Sequence, residues 1–156
     1  MKQGIDILIV DDDKALLGVL RSVLESEGHR VAVVPSAYEA LPRLEAERYD
    51  LVLVDLKMRR MDGLELLEHE RLQQRGTRMV IMTAYPTVDS AVTAMRQGAF
   101  DYLVKPFKLA ELRAVVERAA KELKIHLQHD VLTAELRAKV ERAAGAEEKA
   151  PAEGQQ

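Results

Sequence analysis

Cysteine is absent from the 156 residues, so disulfides, thiolate chemistry and cysteine-bound zinc are excluded. No apolar run approaches the ~20 residues that a membrane span needs. The opening segment, MKQGIDILIV, has too short an apolar stretch and no small-residue cleavage site, which argues against a signal peptide. Strong charge of one sign is missing as well. A net charge of −3 and an isoelectric point near 5.9 give no bulk-charge reason to expect nucleic-acid binding. Neither G-x-x-x-x-G-K-[ST] nor G-x-G-x-x-G occurs, so a nucleotide-binding loop is unsupported. His29, His69, His126 and His129 form no set with metal-ligand spacing. What is present is an ordinary mixture of 47% apolar and 31% charged residues, which suits one domain with a short extension. The expectation is a cytoplasmic protein.

Five short runs rich in Val, Ile and Leu read as strands: Ile5–Val10, Arg30–Val34, Asp50–Val54, Arg78–Met82 and Asp101–Val104. Most do not alternate with polar residues, which is how strands buried on both faces look. Helical spacing fills the gaps, as in Val88, Ala91, Val92 and Met95. Ser36 is a plausible N-cap for AYEALPRLEAE, although Pro42 should weaken or kink that helix. Gly28, Gly76 and Gly98 fall where helices should stop. Strand and helix thus alternate five times, which predicts a parallel sheet with helices on both faces and right-handed crossovers.

In such open sheets, sites form beyond the carboxyl ends of the strands. Asp11 and Asp12 follow the first expected strand, Asp55 the third, Thr83 the fourth and Lys105 the fifth. All five therefore converge on one edge. Clustered carboxylates suit a hard divalent cation, and Mg²⁺ usually takes one or two of them with water and a phosphate oxygen. Lys105 supplies a mobile positive charge, Thr83 a hydroxyl donor, and Asp55 a nucleophile that would form an aspartyl phosphate. Asp13 suits helix capping. The run from Asp11 is no EF-hand, because Ala15 and Leu16 stand where Asp/Asn and Gly belong. An aspartate-based small-molecule phosphatase of the haloacid-dehalogenase type needs a second aspartate two residues after the nucleophile, where this chain has Lys57.

The segments VDDD, LVLVDLKM, MDGLELL, IMTAY and GAFDYLVKPF occur in an order and spacing that resemble the receiver domain of bacterial two-component response regulators. The wording is most similar to receivers of nitrogen-regulation-type enhancer-binding activators. The resemblance spans Ile5 to about Leu123. It implies an α/β, flavodoxin-like (βα)5 fold with strand order 2-1-3-4-5. It implies that Asp55 is the phospho-acceptor. Asp12, Asp55 and the backbone carbonyl of Lys57 would ligate Mg²⁺ (or Mn²⁺), with Asp11 holding the ion through water. Lys105 would bind the phosphoryl group, Thr83 and Tyr102 would form a switch pair, and Pro106 would follow a cis peptide. The implied partners are a sensor histidine kinase and a downstream effector protein or output domain, with a phosphorylation-dependent homodimer left open. No direct nucleic-acid binding and no membrane association are expected. By this resemblance the chain is a signalling switch, not an enzyme acting on other substrates. One departure stands out: the family's usual M-P-G-M-D-G is here MRRMDG, with Arg59 and Arg60 in place of Pro and Gly.

From Phe107 to Ala144 there is neither Gly nor Pro, which predicts an extended C-terminal helix. Leu109, Leu112, Val116, Ala119 and Leu123 keep the spacing of a packed face. Leu127, Val131, Ala134 and Ala138 continue it with a shift of one. A coiled coil and an amphipathic helix folded back on its own domain both fit. The expected layout is a receiver over 1–123, a helical extension or linker over 124–144 and a disordered tail over 145–156. A stand-alone receiver and a receiver fragment of a DNA-binding activator remain the two alternatives.

Overall fold

The structure is a computed structural model and describes residues 4–149. Its elements are β1 (Asp6–Val10), α1 (Lys14–Ser26), β2 (Arg30–Val34), α2 (Ala37–Ala46), β3 (Leu51–Asp55), α3 (Gly63–Gln73), β4 (Arg78–Thr83), α4 (Val88–Arg96), β5 (Asp101–Val104) and α5 (Leu109–Lys149). The strands are all parallel and lie in the order β2-β1-β3-β4-β5. Two boundaries differ from the sequence reading in a way that touches the site. Asp55 pairs with Met82 and Thr83 with Val104, so both residues belong to the strand ladder and do not follow it.

Strand periodicity of two sorts the side chains into two layers. Leu8, Val10, Val52, Val54, Met79 and Ile81 join Ala37, Ala40, Leu44, Leu66, Leu67 and Ala94 in one core, so α2, α3 and α4 cover that face. The alternate residues Ile7, Ile9, Leu51, Leu53, Val80 and Met82 are fully buried as well. On their side α1 buries Leu17, Leu20 and Leu24, and the start of α5 buries Leu112, Val115, Val116 and Ala119. This burial on both faces explains why the strands read as apolar runs.

The helix ends carry the expected chemistry. Asp13 caps α1 by accepting from the Leu16 N–H at 3.1 Å, and Ser36 caps α2 by accepting from the Glu39 N–H at 3.1 Å. Pro42 does not interrupt α2, which runs unbroken from Ala37 to Ala46. The buried Ala40 and Leu44 hold the helix against the sheet across the missing N–H. On the far edge from the acidic cluster, the Arg75 guanidinium donates to the Leu44 carbonyl and lies 3.7 Å from the buried Glu70.

The chain divides into two compact units, Met1–Ala120 and Lys121–Gln156. Within the second, α5 stays helical through Gly145 to Lys149, where the sequence reading began a tail. One glycine costs a helix only about 1 kcal/mol, too little to end it alone. Residues 150–156 of that expected tail lie outside the described residues. The exposed apolar side chains here fall in two groups. Ile125, Leu132, Leu136 and Val140 share one side of the helix, and Leu127 and Val131 lie nearly opposite. A single heptad seam therefore describes only part of the pattern.

The β3–α3 loop contains one non-glycine residue in the left-handed region, Arg60, at φ 72°. A side chain there crowds its own backbone, and glycine does not. Arg60→Gly is expected to raise stability by about 1 kcal/mol, read as a higher denaturant midpoint at unchanged slope. A lower midpoint would mean that the Arg60 side chain holds the loop by contacts worth more than the strain.

Candidate functional site

Asp11, Asp55 and Lys105 sit at the carboxyl ends of β1, β3 and β5, which the parallel order turns to the same edge of the sheet, β1 beside β3 and β5 beyond β4. Asp11 is fully buried, and Asp55 retains 8% exposure. One carboxylate oxygen of Asp11 accepts from the Asp13 N–H at 2.9 Å. The other accepts from the Lys105 Nζ at 2.5 Å. The same ammonium donates to Asp55 Oδ1 at 3.3 Å. Asp12 is exposed, yet it offers a carboxylate oxygen within 4.8 Å of those of Asp11 and Asp55.

The electrostatics follow from this crowding. Burial pushes the Asp55 carboxyl above the usual carboxylate range, and the Asp11 charge adds to the shift. Lys105 opposes both without cancelling them. For Lys105, burial works to lower its pKa, but the hydrogen bond and charge of Asp11, followed by Asp55, outweigh it and raise it. The lysine is therefore held charged. Three carboxylates face one ammonium, which leaves a deficit equal to the charge of one divalent cation. The residues present thus fit Mg²⁺, a hard ion that prefers oxygen donors.

The second half of the site lies on the other face of the sheet. Thr83 is 1% exposed, and its Oγ1 accepts from the Tyr85 N–H at 3.0 Å. Tyr102 pairs with Ile81, two register steps before the Thr83–Val104 pair, and packs against the core on the same face. Its hydroxyl meets Ser90 Oγ at 2.7 Å. The Lys105–Pro106 peptide is cis. Gly63 opens α3 so close to Asp55 that an added Cβ would stand 2.7 Å from the Asp55 carbonyl oxygen. No side chain larger than hydrogen fits there without moving the strand end.

Of the residues named from the sequence, Asp11, Asp12, Asp55 and Lys105 come together in one cluster, while Thr83 and Tyr102 lie on the other face of the sheet. Sequence reasoning missed Ser90 and Tyr85. The ring of Tyr85 lies 4.8 Å from the Lys57 Nζ, which turns the Lys57 side chain over an exposed aromatic face. Arg59 and Arg60 separate. Arg59 lines a cavity of about 530 Å³ with Asp12, Lys57, Met58 and Asp62. Arg60 lies 5.9 Å from the ring of Tyr38. Only the spacing Thr87-x-x-Ser90, a capping-box pattern, could have pointed to Ser90 in advance.

A family model for the response regulator receiver domain matches residues 7–117. The chain belongs to the response regulator receiver domain family. Domains of this family generally depend on Mg²⁺, in keeping with the acidic cluster. The receiver is 46% identical over 114 residues to the response regulator protein FleR of Pseudomonas aeruginosa, covering 73% of this chain and 24% of FleR. It is 44% identical over 124 residues to the alginate biosynthesis transcriptional regulatory protein AlgB of the same organism, covering 80% of this chain and 27% of AlgB. It therefore spans about a quarter of the length of these curated relatives. Among solved structures, NtrX from Brucella abortus superposes with a TM-score of 0.76 at 32% identity, over 83% of this chain and 30% of that one. Among the described residues, no helix is long and apolar enough to cross a membrane.

The charge deficit has a measurable consequence. Mg²⁺ at a hundredfold excess over its dissociation constant is expected to stabilise the receiver by about 2.7 kcal/mol. Asp12→Asn should remove most of that gain. Asp55→Asn should raise the thermal midpoint in EDTA, because it relieves a buried repulsion, and should lose the Mg²⁺ response. Equal Mg²⁺ responses in wild type and both variants would place the ion elsewhere.

Proposed function

We propose that this receiver accepts a phosphoryl group on Asp55 and uses the resulting charge to alter a protein-contact surface. The observation that carries the reading is the Lys105 ammonium within hydrogen-bond distance of both Asp11 and Asp55 in a cluster of three carboxylates. A sensor histidine kinase is the proposed donor. An Asp55 carboxylate oxygen attacks the phosphorus of a phosphohistidine in line, and the P–N bond breaks as the imidazole leaves with the electron pair. Asp11, Asp12, Asp55 and the Lys57 carbonyl would hold Mg²⁺, whose role is to neutralise charge on the phosphoryl oxygens. Lys105 adds a second positive charge and turns from the carboxylates to a phosphoryl oxygen. The Tyr85 N–H occupies a lone pair of the Thr83 hydroxyl, which leaves the Thr83 proton to donate to another phosphoryl oxygen.

The product carries about −1.5 to −2 charge, by analogy with other phosphorylated side chains. Drawing Thr83 toward it vacates space beside Ile81, and Tyr102, on the same face two register steps away, turns inward to fill it. The change biases two pre-existing states, and about 1.4 kcal/mol moves their ratio tenfold. On this reading the chain catalyses only its own phosphorylation and dephosphorylation, works in the cytoplasm, and signals by protein contacts. Similarity to AlgB and FleR favours a second form of output, through the remainder of a longer transcriptional regulator.

Incubation with acetyl phosphate and Mg²⁺ should add the mass of one phosphoryl group at Asp55. EDTA or Asp55→Asn should abolish the adduct, and Lys105→Ala should reduce it sharply. An adduct on another residue, or one indifferent to EDTA, would sink the reading. Repeated turnover of p-nitrophenyl phosphate would favour a phosphatase instead. Arg59 lines the cavity beside Asp12, so Arg59→Ala should change kinase transfer or phosphoryl lifetime by roughly two- to tenfold. Arg60→Gly should leave both unchanged. The reverse pattern would assign the loop's influence to its backbone turn.

A further inference from the structure

Ser90 stands in the first turn of α4, and four polar atoms surround its hydroxyl. Thr87 presents its N–H at 3.3 Å, its Oγ1 at 2.9 Å and its carbonyl oxygen at 3.1 Å. The fourth is the Tyr102 hydroxyl at 2.7 Å. A serine hydroxyl has two lone pairs and one proton. The Thr87 N–H and Oγ1–H fill the lone pairs, while Thr87 Oγ1 in turn accepts from the Ser90 N–H at 3.0 Å. These bonds form the capping box of α4. The single proton is left with two acceptors, the Thr87 carbonyl and the Tyr102 oxygen, and the tyrosine is the nearer.

We propose that Ser90 is the positioning residue that sets the resting place of Tyr102. Its hydroxyl holds the ring against the start of α4 and passes its proton to the Thr87 carbonyl when the ring leaves. This rests on the reading of Tyr102 as a switch residue and adds the group that holds it. The arrangement suits a switch because the Ser90 proton has an acceptor in either position. A buried donor with no second acceptor would resist release by its full desolvation cost. Here release exchanges one hydrogen bond for another. The α4 cap survives the exchange, so Tyr102 can move without unravelling the helix start. The sequence separation of twelve residues brings this latch together only through the β4–α4–β5 crossover.

The test uses the full, unphosphorylated chain in EDTA with 3-fluorotyrosine incorporated. The ¹⁹F resonance of residue 102 is assigned by its loss in Tyr102→Phe, and its solvent exposure is read from the H₂O/D₂O isotope shift. Ser90→Ala should raise the ratio of inward to outward Tyr102 by about three- to tenfold. Ser90→Thr, which keeps a hydroxyl, should restore the wild-type ratio. Thr87→Ala strips a cap partner but spares the Ser90 hydroxyl, and it should leave Tyr102 where it was. An unmoved resonance in Ser90→Ala, or an equal shift in Thr87→Ala, would overturn the proposal. Unshifted resonances of Tyr38, Tyr49 and Tyr85 report that each variant is folded. A second measurement avoids any change to the cap. In Tyr102→Phe, amide exchange at Ala91 and Val92 should stay within twofold of wild type. A large opening there would refute the exchange of acceptors. Beryllofluoride with Mg²⁺ examines the other reading separately. A Tyr102 resonance that ignores it refutes the phosphorylation switch and leaves the Ser90 result standing.

Discussion

One ammonium between two carboxylates is the interaction on which the rest depends. Lys105 reaches Asp11 across 94 residues of chain and Asp55 across 50. No local rule joins those positions. They meet because a parallel sheet in the order β2-β1-β3-β4-β5 puts the ends of β1, β3 and β5 on one edge. The buried Asp11 needs that cation, since an isolated carboxylate at zero exposure would be very costly. Asp55 receives only the longer of the two hydrogen bonds, and its carboxyl titrates above the usual range because burial and Asp11 outweigh Lys105.

That imbalance is the chemistry of the site expressed as stability. The two carboxylates outnumber their lysine, and Asp12 adds a third within reach. A structure optimised for stability alone would neutralise one of them. The surplus instead matches the charge of a divalent cation, which would relieve part of the repulsion. Backbone features around the cluster carry the same signature. Gly63 lets the start of α3 approach the Asp55 carbonyl, and Arg60 holds a left-handed turn that glycine would adopt more easily.

A second set of polar groups lies on the opposite face of the sheet. Thr83 is tied to the Tyr85 backbone, Thr87 caps α4, and Ser90 joins that cap to Tyr102. These bonds are short-range and exchangeable, unlike the packed strands between them. Beside them, Val88, Val92 and Met95 of α4 remain exposed. A shift of the first turn of α4 therefore moves apolar surface that solvent and partners can reach.

Much of this was legible in advance, and the exceptions are instructive. Alternation of apolar runs with helical spacing predicted all ten elements, because burial on two faces leaves a compositional mark. Asp13 and Ser36 announced their helices because a cap acts within three residues. Pro42, expected to weaken or kink α2, does not break it. Its cost is local, and the packing of Ala40 and Leu44 outweighs it. The tail expected from residue 145 does not begin where the low-complexity run suggested, because α5 continues to Lys149 and one glycine costs a helix too little to end it.

The amino-acid order by itself determined which residues carry charge and hydroxyls, and at which strand ends they fall. That follows from nearest-neighbour chemistry, since a strand and its terminal residue are contiguous. Tertiary structure alone decided which of them touch. The bridging of Asp11 and Asp55 by one lysine, the turning of Lys57 over Tyr85 and the choice of Ser90 as the partner of Tyr102 all depend on the separation of distant segments in space. No pattern within a segment encodes those distances, because they are set by how the layers pack.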